Sequence, residues 1–265
     1  VPRERARIAV EDRGFLYGYG LFETILIKEG RPVFWRLHLE RLLAGCAVLG
    51  LALPVAGEEP GALVKETIRR NGVSTGVLRL TLSAGPAGGE STLLLGTRPL
   101  PYSAGDYRRG FRVCFADARR NENSPLVRLK SLNYLENLLA RESARRRGMD
   151  EALFLNTSGC LAEGSASNLF LVRDGRLITP HEEQGLLPGV VRRVVLEISC
   201  GLGLKVEERA VHPEELAAAE ECFLTSSLLG VMPLVEVAGR RIGSGRPGFW
   251  TEKLSAALHE YEEIE

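Results

Sequence analysis

The chain has 265 residues, 45% apolar and 26% charged, and its 34 Lys and Arg balance 34 Asp and Glu to a formal net charge of zero. That length supports one large or two modest domains with a sizeable core, and the balanced charge gives no reason to expect a nucleic acid or an anionic membrane as partner. No apolar run approaches the roughly 20 residues needed to span a bilayer, and no secretory leader pattern is visible. The five scattered cysteines contain no Cys-x-x-Cys pair and the four histidines are dispersed, so neither a disulfide frame nor a zinc site is expected. A reducing, cytoplasmic compartment is the expectation, and Val1 in place of Met suggests that the native start lies upstream.

Residues 21–27, a turn at 29–31 and residues 32–35 read as a β-hairpin. Leucines at roughly helical spacing predict a helix over 36–51, with Pro54 just beyond, and a second helix over 59–71 stopped by Asn71-Gly72. Residues 77–83 and 92–96 read as strands joined by the Gly/Pro-rich stretch 84–89. Pro99, Pro101, Gly105 and Gly110 make 99–110 a linker, dividing a small α/β domain (1–98) from a larger one (111–265). Beyond it come a strand over 111–116 and a helix over 132–147 ended by Gly148. Strands follow over 151–156, 168–173 and 177–179, the last two joined by Asp174-Gly175. A helix over 190–200, a strand over 222–225 and a closing amphipathic helix over 250–261 complete an α+β pattern, distinct from a regular βαβ series.

Chemistry concentrates on few residues. Of five lysines, Lys28, Lys65, Lys205 and Lys253 have charged or turn neighbours, whereas Lys130 lies between Leu129 and Ser131-Leu132 at the start of a helical pattern. It is either a desolvated amine suited to Schiff-base formation or a loop lysine whose stem covers apolar surface. Glu163, among small and apolar residues, is either a strand- or helix-end carboxylate capping an amide or an acid placed to hold a pyridine nitrogen. A lysine and an acid of these kinds suggest pyridoxal phosphate chemistry. The Leu187-Pro188-Gly189 turn into a helix presents unpaired amides, a ready anion site or an ordinary turn. Thr225-Ser226-Ser227 offers hydroxyls for a phosphate or a cap. Arg41 belongs either to a solvated helix face or to a bidentate phosphate contact.

Taken in order, six motifs resemble the class IV aminotransferase family of fold-type IV pyridoxal phosphate enzymes. They are Asp12-Arg13-Gly14-Phe15 with Tyr17-Gly18-Tyr19-Gly20-Leu21-Phe22-Glu23-Thr24, His38-Leu39-Glu40-Arg41-Leu42, Lys130-Ser131-Leu132-Asn133, Glu163-Gly164 through Asn168-Leu169-Phe170, Leu187-Pro188-Gly189, and Thr225-Ser226-Ser227 ending at Pro233. The resemblance covers nearly the whole chain. It implies a two-domain α+β fold with pyridoxal 5′-phosphate at the domain interface, and Lys130 as the Schiff-base lysine and acid–base. It assigns Glu163 to the pyridine nitrogen and Tyr134 to the neighbourhood of the phenolic oxygen. The phosphate falls to Arg41, the amides of Val190 and Val191, and the hydroxyls of Ser226 and Ser227. A homodimer with a shared active site and a small-molecule amino substrate are implied as well.

Within the family, Lys130-Ser131-Leu132-Asn133 and Ser226-Ser227-Leu228-Leu229-Gly230-Val231-Met232-Pro233 are similar to 4-amino-4-deoxychorismate lyases, which form p-aminobenzoate and pyruvate through a carbanion. An aminotransferase for D- or branched-chain amino acids with 2-oxoglutarate is the alternative. Tyr19, Ala84 and Val191 depart from the lyase pattern, which has aspartate, arginine and threonine at those places. Tyr19, Arg79, Arg108 and Arg109 are the candidates for the substrate, each with a plain structural reading as a strand or linker residue.

Overall fold

The computed structural model describes residues 5–55 and 60–264. It divides into two compact units, Val1–Leu100 with Leu129–Tyr134, and Pro101–Arg128 with Leu135–Glu265. The segment that carries Lys130 therefore groups with the first unit, although it lies far beyond residue 98 in the chain.

In the first unit, a short helix α1 (Arg13–Tyr17) leads into β1 (Gly20–Lys28). Glu29 and Gly30 both have positive φ, 51° and 73°, and close a two-residue turn into β2 (Arg31–Pro32). The second hairpin arm is shorter than the expected 32–35. Phe34 takes a left-handed conformation as the N-cap of α2 (Trp35–Leu49), so Trp35 opens the helix. Gly50, left-handed at φ 61°, ends that helix by donating its N–H to Cys46 C=O. Helix α3 (Pro60–Arg70) follows; position 59, where a start was expected, lies outside the described residues. Strands β3 (Gly76–Ser83) and β4 (Thr92–Arg98) complete an antiparallel sheet of order β2-β1-β3-β4.

Period-two alternation sorts these strands into two faces. Leu21, Ile25 and Ile27 of β1 and Leu78, Leu80 and Leu82 of β3 pack beneath Leu42, Cys46, Val64 and Ile68 of the two helices. Phe22, Thr24, Arg79 and Arg98 belong to the opposite face, as the pairings Thr24↔Arg79 and Arg79↔Gly96 fix.

The second unit opens with α4 (Ala104–Arg109) inside the stretch expected to be a linker. Ser103 and Asp106 form a capping box there, and local capping makes a helix of a Gly/Pro-flanked segment. Strand β5 (Phe111–Phe115) follows, and helix α5 runs Leu135–Arg146. It starts three residues later than expected because residues 130–132 are extended and bonded to β1: Leu132 N–H donates to Gly20 C=O at 2.9 Å. Lys130 is thus not at a helix start. The remaining strands are β6 (Glu151–Leu155), β7 (Leu161–Gly164), β8 (Asn168–Arg173), β9 (Arg176–Pro180), β10 (Lys205–Arg209), β11 (Glu221–Ser226), β12 (Gly230–Val237) and β13 (Arg240–Arg241), with helices α6 (Val190–Gly201) and α7 (Phe249–Ile264).

Their order is β10-β9-β8-β11-β12-β5-β6-β7, with β13 on β12. The end strand β7 stands five places from β8, about 24 Å if the sheet were flat, yet only Ser165–Ser167 separate the two in sequence. That link spans at most about 14 Å. The sheet must curl. Its enclosed core holds Phe111, Leu153, Leu161, Leu169, Leu224 and Met232, while Ala140 and Ala144 of α5 pack on Cys114, Ala152, Phe154 and Ala162. The small residues on both sides bring that helix close to the sheet. Among the described residues no helix is long and apolar enough to cross a membrane.

Candidate active site

Lys130 is fixed by its backbone. Phe22 N–H donates to Lys130 C=O at 2.8 Å, and Leu21 and Ser131 form an antiparallel bridge. Ser131 therefore faces with Leu21 into the helix-covered core, and Lys130 points with Phe22 to the other face. Its Nζ lies 4.5 Å from the centroid of the Phe22 ring. Arg79 Cζ lies 3.5 Å from the same centroid, and Tyr134 meets the ring edge-on at 5.2 Å and 86°. Phe22, only 2% exposed, is the hub that gathers Lys130, Arg79 and Tyr134. Sequence reasoning places Phe22 within a motif but gives it no role.

Besides the Phe22 ring, Arg79 reaches Thr24 Oγ1 from Nη1 at 3.3 Å and has no ion pair among the described residues. Burial pushes its guanidinium down to about 10, and the nearby Arg98 charge acts in the same direction. Tyr19 is turned elsewhere: its hydroxyl donates to Leu49 C=O at 2.6 Å and Arg13 lies over its ring.

On the opposite face of β1, Glu23 is fully enclosed beneath α2. Arg41 grips it with both nitrogens, Nε to Oε1 at 2.8 Å and Nη2 to Oε2 at 2.6 Å. His38 Nδ1 lies 2.7 Å from Oε2. Since a carboxylate only accepts, Nδ1 carries the proton and donates. Burial pushes the Glu23 carboxyl up, but the Arg41 charge, the His38 charge and hydrogen bonds from both residues outweigh it and hold it well below the usual range. Burial pushes His38 down despite Glu23. The Arg41 side chain expected to bind phosphate is thus oriented by a buried acid. Glu23 is legible in principle, because it interrupts the apolar row Leu21, Ile25, Ile27.

The second unit holds the other residues. Glu163, at the end of β7 and 7% exposed, accepts from Leu187 N–H at 3.0 Å through Oε2. Its Oε1 faces Arg120 Nη2 at 3.1 Å, an ion contact without hydrogen-bond alignment. Arg120 is itself buried, bonds Glu136 through Nη1, and lies 4.0 Å over the Phe154 ring. Nothing in Ala118-Arg119-Arg120 distinguishes it from a solvated pair of arginines in sequence.

Leu187 is held at both ends, since its C=O accepts from Asn168 Nδ2 at 2.9 Å. Gly189 packs so closely that an added Cβ would come 2.0 Å from Asn168 Oδ1. It serves as the N-cap of α6 with no side-chain cap, which leaves the amides of Val190 and Val191 to an outside acceptor. Ser226 Oγ accepts from Leu229 N–H at 3.2 Å, and half-buried Ser227 follows. Thr225 Oγ1 is buried without a hydrogen-bond partner. Arg109 spends its guanidinium on Asp150, at 2.8 and 2.9 Å, and Arg108 is exposed on α4.

The first unit carries an amine suited to an aldehyde, and the second carries a fixed carboxylate suited to a pyridine nitrogen and an uncapped helix N-terminus suited to a phosphate. Residues 20–237 match the amino-transferase class IV family. The chain belongs to that family. Class IV aminotransferases use pyridoxal phosphate, and the residues here fit it. Similar proteins include the D-alanine aminotransferase of Listeria monocytogenes serotype 4b, 28% identical over 100% of this chain and 93% of its own. The branched-chain aminotransferase of the thermophilic archaeon Thermoproteus uzoniensis, solved with norvaline, superposes with a TM-score of 0.90 at 31% identity, covering 99% of this chain and 91% of its own. The 4-amino-4-deoxychorismate lyase of Pseudomonas aeruginosa gives 0.84 at 34% identity, covering 96% and 95%. This class IV protein is therefore an enzyme with an α+β fold of the fold-type IV kind.

Proposed function

We propose that this class IV enzyme is a lyase converting 4-amino-4-deoxychorismate to p-aminobenzoate and pyruvate. The observation that carries the reading is the Phe22 hub, where an amine and a desolvated guanidinium with no ion pair among the described residues gather at one aromatic ring. The likeness to the P. aeruginosa lyase along nearly all of both chains supports it. Gly230 supports it further, standing at φ 54° where many aminotransferases of the family carry an acidic residue.

In this reading Lys130 carries the cofactor, Glu163 holds its pyridine nitrogen and Tyr134 lies near its phenolic oxygen. Arg41, the Val190 and Val191 amides, and Ser226 and Ser227 hold its phosphate. Bound there, the cofactor supplies electron withdrawal from the carbon that bears the substrate amine. Lys130 Nζ then removes the proton from that carbon. The ring carbon–oxygen bond to the enolpyruvyl group breaks, the departing oxygen takes the proton, and pyruvate leaves as the ring becomes aromatic. Arg79 holds a substrate carboxylate, an anion that offsets its desolvation. Arg120, 3.1 Å from Glu163 Oε1, holds that carboxylate in place as the partner of the pyridine nitrogen.

Amino transfer is the second reading, favoured by full-length likeness to the D-alanine and branched-chain aminotransferases. Pyruvate release from aminodeoxychorismate is measured beside amino transfer from D-alanine and L-leucine to 2-oxoglutarate. The lyase reading predicts pyruvate without transfer, and rapid transfer without pyruvate would replace it with the second. The enzyme is further proposed to be a cytoplasmic homodimer. Apolar side chains left exposed on α1 (Phe15, Leu16, Tyr17) and on α5 (Leu135, Leu138, Leu139) support the dimer.

A further inference from the structure

We propose that Arg98 joins Arg79 as a second cation on the Phe22 face of the four-stranded sheet, making this enzyme selective for substrates that carry two carboxylates. The inference rests on the proposed reading of the Phe22 hub as the substrate site, and adds to it a specificity residue on a different strand.

The register places the two arginines together. Arg79 of β3 pairs with Gly96 of β4, and Arg98 lies two residues beyond Gly96. It therefore shares the face of Arg79 as its diagonal neighbour, with Cα atoms roughly 7–8 Å apart. Neither side chain has an ion pair among the described residues. Burial and the nearby Arg98 charge work against protonation of Arg79, while Tyr134 and Glu23 favour it, and no carboxylate stands within ion-pair distance of either arginine among the described residues. Two like charges on one face repel, and an anion between them offsets that cost.

The space between them is open. A Cβ built on Gly96 meets nothing within 4 Å, so the position beside Arg79 lacks a side chain and is not filled by a neighbour. Leu94, 48% exposed, stands two residues before Gly96 on that face and pairs with Thr81. A substrate can thus place one carboxylate on Arg79 near Lys130, run an apolar skeleton over the gap at Gly96, and reach Arg98 with a second carboxylate. A monocarboxylate meets only the first cation. A surface face with purely structural arginines would bind neither preferentially.

Glutarate and butyrate, which share an aliphatic skeleton and differ in the second carboxylate, are suitable probes. Their binding to the holoenzyme is measured by calorimetry at fixed low salt. The proposal predicts that glutarate binds more tightly, and that Arg98→Gln lowers the glutarate-to-butyrate ratio roughly five- to tenfold. Arg98→Lys, which keeps the charge, retains most of the ratio. A ratio unaltered in Arg98→Gln, or no preference for glutarate in the parent enzyme, overturns it. The underlying reading fails separately: a protein whose visible absorbance is not bleached by borohydride holds no cofactor on Lys130, whatever the ratio.

Discussion

Glu23 shows how one residue organises a site it does not enter. Removing its charge leaves the Arg41 guanidinium, whose side chain is 15% exposed, without its bidentate partner. Glu23→Gln is predicted to cost about 3–5 kcal/mol of stability, the range for breaking a buried ion pair on one side. The urea midpoint checks it, and a loss below about 1 kcal/mol would place the pair among weak surface bridges. Acid acts through the same residues. His38 is held below its ordinary 6.5 and Glu23 below its ordinary 4.5, so in both cases the unfolded chain binds the proton first. Stability contributed by each group is therefore present above those values and is lost as pH falls, through His38 below 6.5 and then through Glu23 below 4.5. Replacing His38 with Asn should flatten the first part of that decline in pH-dependent urea titrations. An unchanged slope would mean that His38 does not titrate differently on folding.

At the scale of elements, sequence pattern and structure part where tertiary pairing overrides local preference. Leu132, Leu135, Leu138 and Leu139 read as one helical series, yet residues 130–132 are drawn into pairing with β1 and the helix waits until Leu135. The Gly/Pro content of 99–110 reads as a linker, yet Ser103 and Asp106 cap a helix there. Strands β7 and β12 escape the sequence pattern, because neither shows alternation: β7 is buried throughout, and β12 almost so. By contrast the Leu187-Pro188-Gly189 turn is legible, since Pro and Gly before an apolar run are a helix-start pattern. Its tight packing is not, because contact with Asn168 comes from another strand. Gly189→Ala is predicted to destabilise by about 1–3 kcal/mol through that overlap and to weaken phosphate-dependent cofactor retention. Shortening the obstructing side chain in Gly189→Ala with Asn168→Ala should recover part of the stability in a double-mutant cycle. Strict additivity would show that the clash is not the cause.

The whole molecule reveals what composition alone leaves open. Length and neutral charge limit the chain to a globular protein of one or two domains, and the order of six motifs carries the family assignment. The curl of the large sheet and the return of Leu129–Tyr134 to the first unit depend on contacts between residues far apart in sequence. Leu135, Leu138 and Leu139 are 67%, 53% and 59% exposed at i, i+3 and i+4, an apolar helix face without cover in one chain. The dimer proposal predicts a solution mass about twice 29.0 kDa by light scattering, reduced to one chain's mass in Leu138→Asp. A monomer in the parent protein would refute it.

Every proposed step depends on Lys130 as the cofactor's anchor. Treating the purified, coloured holoenzyme with borohydride and mapping the product by peptide mass spectrometry tests this directly. The predicted result is loss of the near-visible absorbance with the added mass on the peptide containing Lys130, and neither change in Lys130→Ala. Label on another lysine, or the same bleaching and mass gain in Lys130→Ala, would contradict it.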